Sequence, residues 1–328
     1  MTKRLFFFFF LLITLPGWLV GCVGVTVSLE TESKSTLKEY TLLGKESGKL
    51  LIIPVSGVIT DNPRKGLLPK RAGTIQDIVS KLKMAETDSD IKALLLVINS
   101  PGGTVTSSDI LYHEIQAFKQ RTGKKIISLF MDVAASGAYY LALPSDLIVA
   151  HPTTITGSIG VIFVNPKISG TMEKLGMAVE VSKSGSEKDM GSPFRPSTPE
   201  ERKMFQDLTD TLGKKFLSLV SQHRGMDQTA LEAVASARIY LAEEALSLKL
   251  IDRIGYLDDA ITEAKALAGL SPESKVVIYR RSEYPNDSPY NTAASLAAES
   301  SRTALEINLP EVIPDLTPGF YFLWMPGY

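Results

Sequence analysis

The sequence predicts an α/β protein, and three observations predict it. Apolar runs of strand length recur at 50–59 (LLIIPVSGVI), 91–98 (IKALLLVI) and 125–130 (KIISLF). Between them lie stretches whose apolar side chains are spaced by three and four residues. Turn-forming residues separate the two kinds of segment, most clearly Ser100-Pro101-Gly102-Gly103.

Residues 23–48 are mixed and polar, which fits a tether or a first edge strand. The run at 50–59 is rich in β-formers. Ile75, Ile78, Val79 and Leu82 have helical spacing and place a helix over 73–85. The run at 91–98 is almost wholly apolar, which fits a strand covered on both faces. A helix over 107–118, a strand over 125–130 and a helix over 136–143 continue the alternation. Strands are expected at 146–150 and 158–164. Thr198-Pro199-Glu200-Glu201 is a capping box with Pro at the first helical position. The helix it opens reaches about residue 224 on the spacing of Met204, Leu208, Leu212 and Phe216. Short helices are expected over 228–235, 242–248 and 255–268, and a strand over 275–279. Residues 282–303 are rich in Ser, Ala, Asn and Pro and read as mobile. The four prolines of 307–328 forbid a helix there. Its aromatic residues suggest docking on a neighbouring surface, expected to be a second subunit.

The 328 residues hold 44% apolar side chains, enough for a large core, and carry a net charge of -1. No basic surplus points to a nucleic-acid partner. Arg280-Arg281 reads as solvated surface. One cysteine, Cys22, excludes an intrachain disulfide, and with three scattered histidines it gives no metal-site spacing, so no metal is expected.

The amino terminus reads as an export signal. Lys3 and Arg4 precede an apolar run from Phe6 to Val20, shorter than the roughly 20 residues that span a bilayer. Leu19-Val20-Gly21-Cys22 resembles a bacterial lipobox, in which the cysteine is acylated and becomes the new terminus. A lipid on Cys22 would hold the protein at the membrane without a spanning helix. An uncleaved anchor is the other reading. Both place the remainder in the cell envelope, outside the cytoplasm. The resulting organisation is a leader over 1–22, a tether over 23–48, a catalytic domain over 49–270 and a tail over 271–328.

Three local features carry chemistry. Asn99-Ser100-Pro101-Gly102-Gly103 follows the covered strand, and glycine lets bare backbone approach a ligand. Its N–H groups can face a developing oxyanion. In Ala134-Ala135-Ser136-Gly137-Ala138, Ser136 stands among small residues between a strand and a helix. Room for a carbonyl and the free N–H groups of the helix start suit a nucleophile, although a plain N-cap serine reads the same way. Lys188 lies in Gly185-Ser186-Glu187-Lys188-Asp189. A lysine can deprotonate serine only if its pKa falls by roughly 3 units, about 4 kcal/mol, and burial is the usual cause. An extended chain is expected here, so that Glu187 and Asp189 point away from the amine. Otherwise Lys188 is a solvated surface lysine.

Together these features resemble the signal peptide peptidase A family of serine–lysine peptidases. The matching stretches are NSPGG (99–103), AASGAYYLA (134–142), TTITGSIGV (153–161) and GSEKDMGSPFRPST (185–198), and the resemblance covers about residues 48–265. The resemblance implies a Clp protease/crotonase-like spiral of ββα units with added helices. It makes Ser136 the nucleophile and Lys188 the general base. It assigns oxyanion N–H groups to Gly103 and Gly137, and gives Ser158 the role of orienting the lysine. It implies no cofactor, a homo-oligomeric ring, and remnant signal peptides or other short extended polypeptides as substrates.

Three other readings stay open. His151, 15 residues after Ser136, allows a Ser-His-Asp peptidase on the same fold. A crotonase-like acyl-CoA enzyme would also use Gly-rich turns, but CoA is a cytoplasmic cofactor and the chain carries an export signal. A non-catalytic membrane scaffold would keep the fold but has no need of Ser136 and Lys188.

Overall fold

The computed structural model describes residues 36–61, 73–281, 283–284, 287–292 and 318–325. The leader, Cys22, the first half of the tether and most of residues 282–317 lie outside the described residues.

The strands are β1 (Lys38–Leu43), β2 (Glu46–Ser56), β3 (Ile91–Ser100), β4 (Gly102–Thr104), β5 (Lys125–Ala135), β6 (Leu147–Ala150), β7 (Ile155–Gly157), β8 (Ile162–Val164), β9 (Ile239–Leu241), β10 (Arg253–Ile254), β11 (Ser274–Arg280) and β12 (Gly319–Leu323). The helices are α1 (Thr74–Thr87), α2 (Val105–Thr122), α3 (Gly137–Ala142), α4 (Ser169–Lys174), α5 (Pro199–Arg224), α6 (Gln228–Val234), α7 (Ala242–Ser247) and α8 (Leu257–Leu267).

The main sheet runs β1-β11-β2-β3-β5-β6-β10 and is parallel from β11 to β10. The antiparallel edge strand β1 closes one side. Both faces are covered, so β3 needs apolar side chains at every position. Leu94, Leu96 and Ile98 enter the core beneath α1, α2 and α3. Ala93, Leu95 and Val97 alternate with them and pack against Leu257, Ala260, Ile261 and Ala264 of α8. Each fully buried Leu or Ile contributes about 1.5–3 kcal/mol against exposure. This two-faced burial is why the helical layers end on one shared sheet.

Local chemistry sets the boundaries. The Thr104 side chain accepts from the Ser107 N–H at 3.2 Å and starts α2, and Gly123 ends it in the left-handed conformation. Thr198 and Glu201 form both bonds of the expected capping box at the head of α5.

Several expectations are corrected. β5 runs five residues past Phe130, because Val133, Ala134 and Ala135 pair with β7. The strand expected over 158–164 is shortened to β8 at Ile162–Val164, and β7 ends before it at Gly157, since Ser158 has φ of 50°, which no strand accommodates. Arg280 is not solvated surface. It is buried, ion-paired with Asp287 and set over the Tyr40 ring at 4.6 Å. The aromatic tail docks on its own chain, because β12 lies between β4 and β8 and forms a small antiparallel sheet with them.

Candidate active site

The site is assembled where β3 and β5 end side by side. Ser100 pairs with Ala134, and the Asn99 side chain bridges to Asp132 (3.3 Å) and to the Val133 N–H (3.2 Å). This bond fixes the turn after β3 against the last residues of β5. Ser136 follows immediately, between β5 and α3.

Ser136 has φ of 54° and ψ of −116°, a strained conformation for a residue with a side chain. Such strain costs on the order of 1–3 kcal/mol and persists only where the surroundings impose it. Here the Ser136 N–H donates to the Gly157 carbonyl at 2.8 Å, and α3 starts at the next residue. A strained strand-to-helix turn is how hydrolases expose a nucleophilic serine above a sheet. The hydroxyl is fully buried and has no hydrogen-bond partner among the described residues. A buried unpaired hydroxyl is costly, so its presence calls for a function.

The glycines around it have a steric reason. A Cβ on Gly103 would lie 1.9 Å from the Ile59 carbonyl oxygen. One on Gly102, which has φ of 101°, would lie 2.8 Å from the Gly137 nitrogen. Only bare backbone brings the β4 strand this close to Ser136. One on Gly137 would lie 3.2 Å from the Gly103 nitrogen and 2.3 Å from the Ser108 hydroxyl. The two N–H groups expected to form an oxyanion hole therefore border one small space beside the serine. Ser158 is also close, following Gly157, whose pairing with Ala135 sets it beside Ser136.

Lys188 is not brought to Ser136 within the chain. It sits in a run of turns over 186–191, where an extended segment was expected. Its side chain is exposed and makes no hydrogen bond or ion pair among the described residues. The concern over its acidic neighbours is met differently. Asp189 is held by Arg195 (2.9 Å) and Lys183 (2.7 Å), and Arg195 also binds the buried Glu201 (2.5 Å). The Arg195 guanidinium, then Lys183, hold the Asp189 carboxyl well below its usual range, and Arg195 does the same for Glu201. This clamp ties the lysine loop to the first turn of α5.

His151 is engaged elsewhere. Its Nδ1 is 2.9 Å from the Thr153 hydroxyl and its ring meets Tyr256 edge-on at 4.9 Å. Sequence reasoning missed Asn99, Ser108 and the Arg195 clamp. It also missed an aromatic cluster of Tyr140, Phe216 and Phe322 below the turn. Asp189, Arg195 and Glu201 lie six residues apart, but in the sequence Arg195 is one charge among many.

A strained, buried serine beside two closely placed N–H groups on an α/β sheet has the features a serine peptidase site needs, in a Clp protease-like fold. Comparison with known proteins agrees: Clp protease matches residues 69–147 and Peptidase family S49 matches residues 118–271. A protein of Enterococcus faecium named as a signal peptide peptidase SppA is 35% identical over 255 residues, covering 78% of this chain and 71% of its own. The chloroplastic serine protease SPPA of Arabidopsis thaliana is 31% identical over 254 residues, 76% of this chain and 37% of that one. Protease 4 of Salmonella typhi is 28% identical over 271 residues, 83% of this chain and 41% of that one. The chain belongs to peptidase family S49, the signal peptide peptidase A family, and is a serine peptidase.

Proposed function

We propose that this protein is a membrane-attached endopeptidase that uses Ser136 as nucleophile and Lys188 as general base to degrade remnant signal peptides and other short extended polypeptides. The observation that carries this reading is the buried Ser136 hydroxyl, without a hydrogen-bond partner among the described residues, beside the Gly103 and Gly137 N–H groups. Ser136 adds to the peptide carbonyl and the two N–H groups hold the oxyanion. Lysine takes the hydroxyl proton and delivers it to the leaving amine, and water then releases the acyl group. Ser158 orients the amine.

The base comes from a neighbouring copy in a homo-oligomeric ring. The whole stretch 173–188 is exposed in the single chain. It presents Leu175, Met177, Val179 and Val181 at alternate positions, with Leu175 68% and Met177 57% exposed. An apolar stripe of this kind beside an exposed catalytic lysine fits a subunit interface. A second copy closing over it supplies the desolvation that a lysine base requires.

The test is subunit mixing. Ser136→Ala and Lys188→Ala should each abolish cleavage of a short apolar peptide, and the double variant should add little. Co-assembly of the two single variants should restore about a quarter of wild-type activity, because random neighbours combine an intact serine with an intact lysine at that frequency. Mixed assemblies as inactive as either parent would exclude a shared dyad. Full activity of Lys188→Ala would exclude lysine altogether.

A further inference from the structure

The two strands that run side by side into the site lose step just before it. β3 and β5 pair residue for residue up to Ile98 opposite Phe130, and the next matched pair is Ser100 opposite Ala134. Two steps along β3 therefore match four along β5, and Met131, Asp132 and Val133 stand opposite Asn99. Continued without this shift, the first register would set Ala134 and Ala135 level with Gly102 and Gly103. At about 3.3 Å per residue it would carry Ser136 roughly 6–7 Å past the glycine turn. The observed register instead sets Ser136 level with Gly102, and a Cβ on Gly102 would lie 2.8 Å from the Gly137 nitrogen.

A bulge interrupts the ladder, so the backbone groups inside it need other partners. Side chains supply them from both sides. The Asn99 Oδ1 accepts from the Val133 N–H at 3.2 Å, and its Nδ2 donates to the Asp132 carboxylate at 3.3 Å. Across the strand, Thr154 is fully buried. Its hydroxyl donates to the Met131 carbonyl at 2.6 Å and lies 3.0 Å from the Phe130 carbonyl. The buried Thr156 hydroxyl donates to the Ala134 carbonyl at 2.6 Å. The bulge is also where β5 changes neighbours. Its pairing with β6 ends at Phe130 opposite Ala150, and its pairing with β7 begins at Val133 opposite Ile155. Between those two ladders, Asn99 and Thr154 set the path of the chain through Met131 and Asp132.

Bulges beside active sites re-aim a side chain. We infer that Asn99 and Thr154 are positioning residues for the peptidase: they hold the two-residue bulge in β5 that sets Ser136 level with the Gly102-Gly103 turn. It rests on the reading of Ser136 as nucleophile and of the Gly103 and Gly137 N–H groups as oxyanion donors. Neither Asn99 nor Thr154 makes or breaks a bond. Their effect falls on the step in which the serine oxygen and the oxyanion must be in place together, and not on the affinity for the peptide. A displacement of 1 Å at such a step costs about 100-fold.

The experiment uses the full chain and a short apolar peptide. Asn99→Ala removes both side-chain bonds to β5. It should lower kcat, and the rate at which a fluorophosphonate labels Ser136, by about 10- to 100-fold, with KM within about twofold of wild type. The double variant Asn99→Asp, Asp132→Asn rebuilds the bridge with its roles exchanged, because the carboxylate then accepts from both the Val133 N–H and the amide. It should recover kcat to within about threefold of wild type. Thr154→Val keeps the shape but not the donor, and should show the same selective loss of kcat, which Thr154→Ser should recover. Should Asn99→Ala not fold, Asn99→Asp alone takes its place, since it sets a second carboxylate beside Asp132. Unchanged kcat and labelling in either the Asn99 variant or Thr154→Val overturns the inference and leaves the peptidase reading intact. So does a double variant as slow as the single Asn99 variant, or a loss of activity that a melting curve accounts for by the unfolded fraction. Absence of label on Ser136 in the wild-type protein overturns the peptidase reading, and the positioning role with it.

Discussion

At the scale of single residues, the site depends on backbone positions that tolerate no side chain. Gly103 meets the Ile59 carbonyl so closely that even a methyl group must displace β4. Gly103→Ala should lower kcat by about 100-fold or more, in the range for loss of an oxyanion donor, measured with a short apolar peptide. The Arg195 clamp gives a second residue-level prediction. Asp189 and Glu201 have folded pKa values below their ordinary ones, first because of Arg195. Their contribution is therefore complete above about pH 4.5 and is lost as pH falls through the lowered folded values. Arg195→Met should reduce the unfolding temperature by a constant amount between about pH 5 and 8, and the deficit should shrink below about pH 4. A deficit that grows on acidification would contradict the clamp. These positions were partly legible: the Gly-Gly pair and Ser136 stand out as chemistry-bearing residues, whereas Arg195 reads as one charge among many until α5 folds beside it.

At the scale of elements, the sheet is held by strands buried on both faces. Leu95 is fully buried against α8, while its neighbour Leu96 faces the other core. Leu95→Ala should cost about 2–5 kcal/mol, read from the urea midpoint at constant m-value. Thr198→Ala removes one half of the α5 capping box and should cost about 1 kcal/mol in the same assay. The helix α5 was legible in full from its capping box and its apolar spacing. The break between β7 and β8 was not, because a positive φ at Ser158 follows from tertiary bonds such as its N–H to the Arg238 carbonyl at 2.9 Å. β12 was equally hidden, since five residues among prolines show no period, and its partners β4 and β8 lie more than 150 residues away in sequence.

At the scale of the whole molecule, one chain brings the proposed nucleophile Ser136 beside the Gly103 and Gly137 backbone, while Lys188 lies on an exposed loop. Among the described residues no helix is long and apolar enough to cross a membrane. Attachment is therefore argued from the leader alone, and Cys22→Ser should abolish incorporation of radiolabelled palmitate and release the protein from the membrane fraction, with peptide cleavage unchanged. Palmitate incorporation into the variant equal to wild type would remove the lipid-anchor reading.

By itself the sequence determined the α/β class, the order of most elements, the strand–helix turn at Ser136 and the glycine turn beside it. Those features rest on local preferences and on burial periodicity, which neighbouring residues encode. The tertiary structure alone decided that Ser136 is strained and has no hydrogen-bond partner for its hydroxyl among the described residues, that Lys188 is exposed on the surface, and that the tail strand pairs with β4 and β8. Each of these depends on contacts between segments far apart in the chain, and no local pattern of residues carries that information.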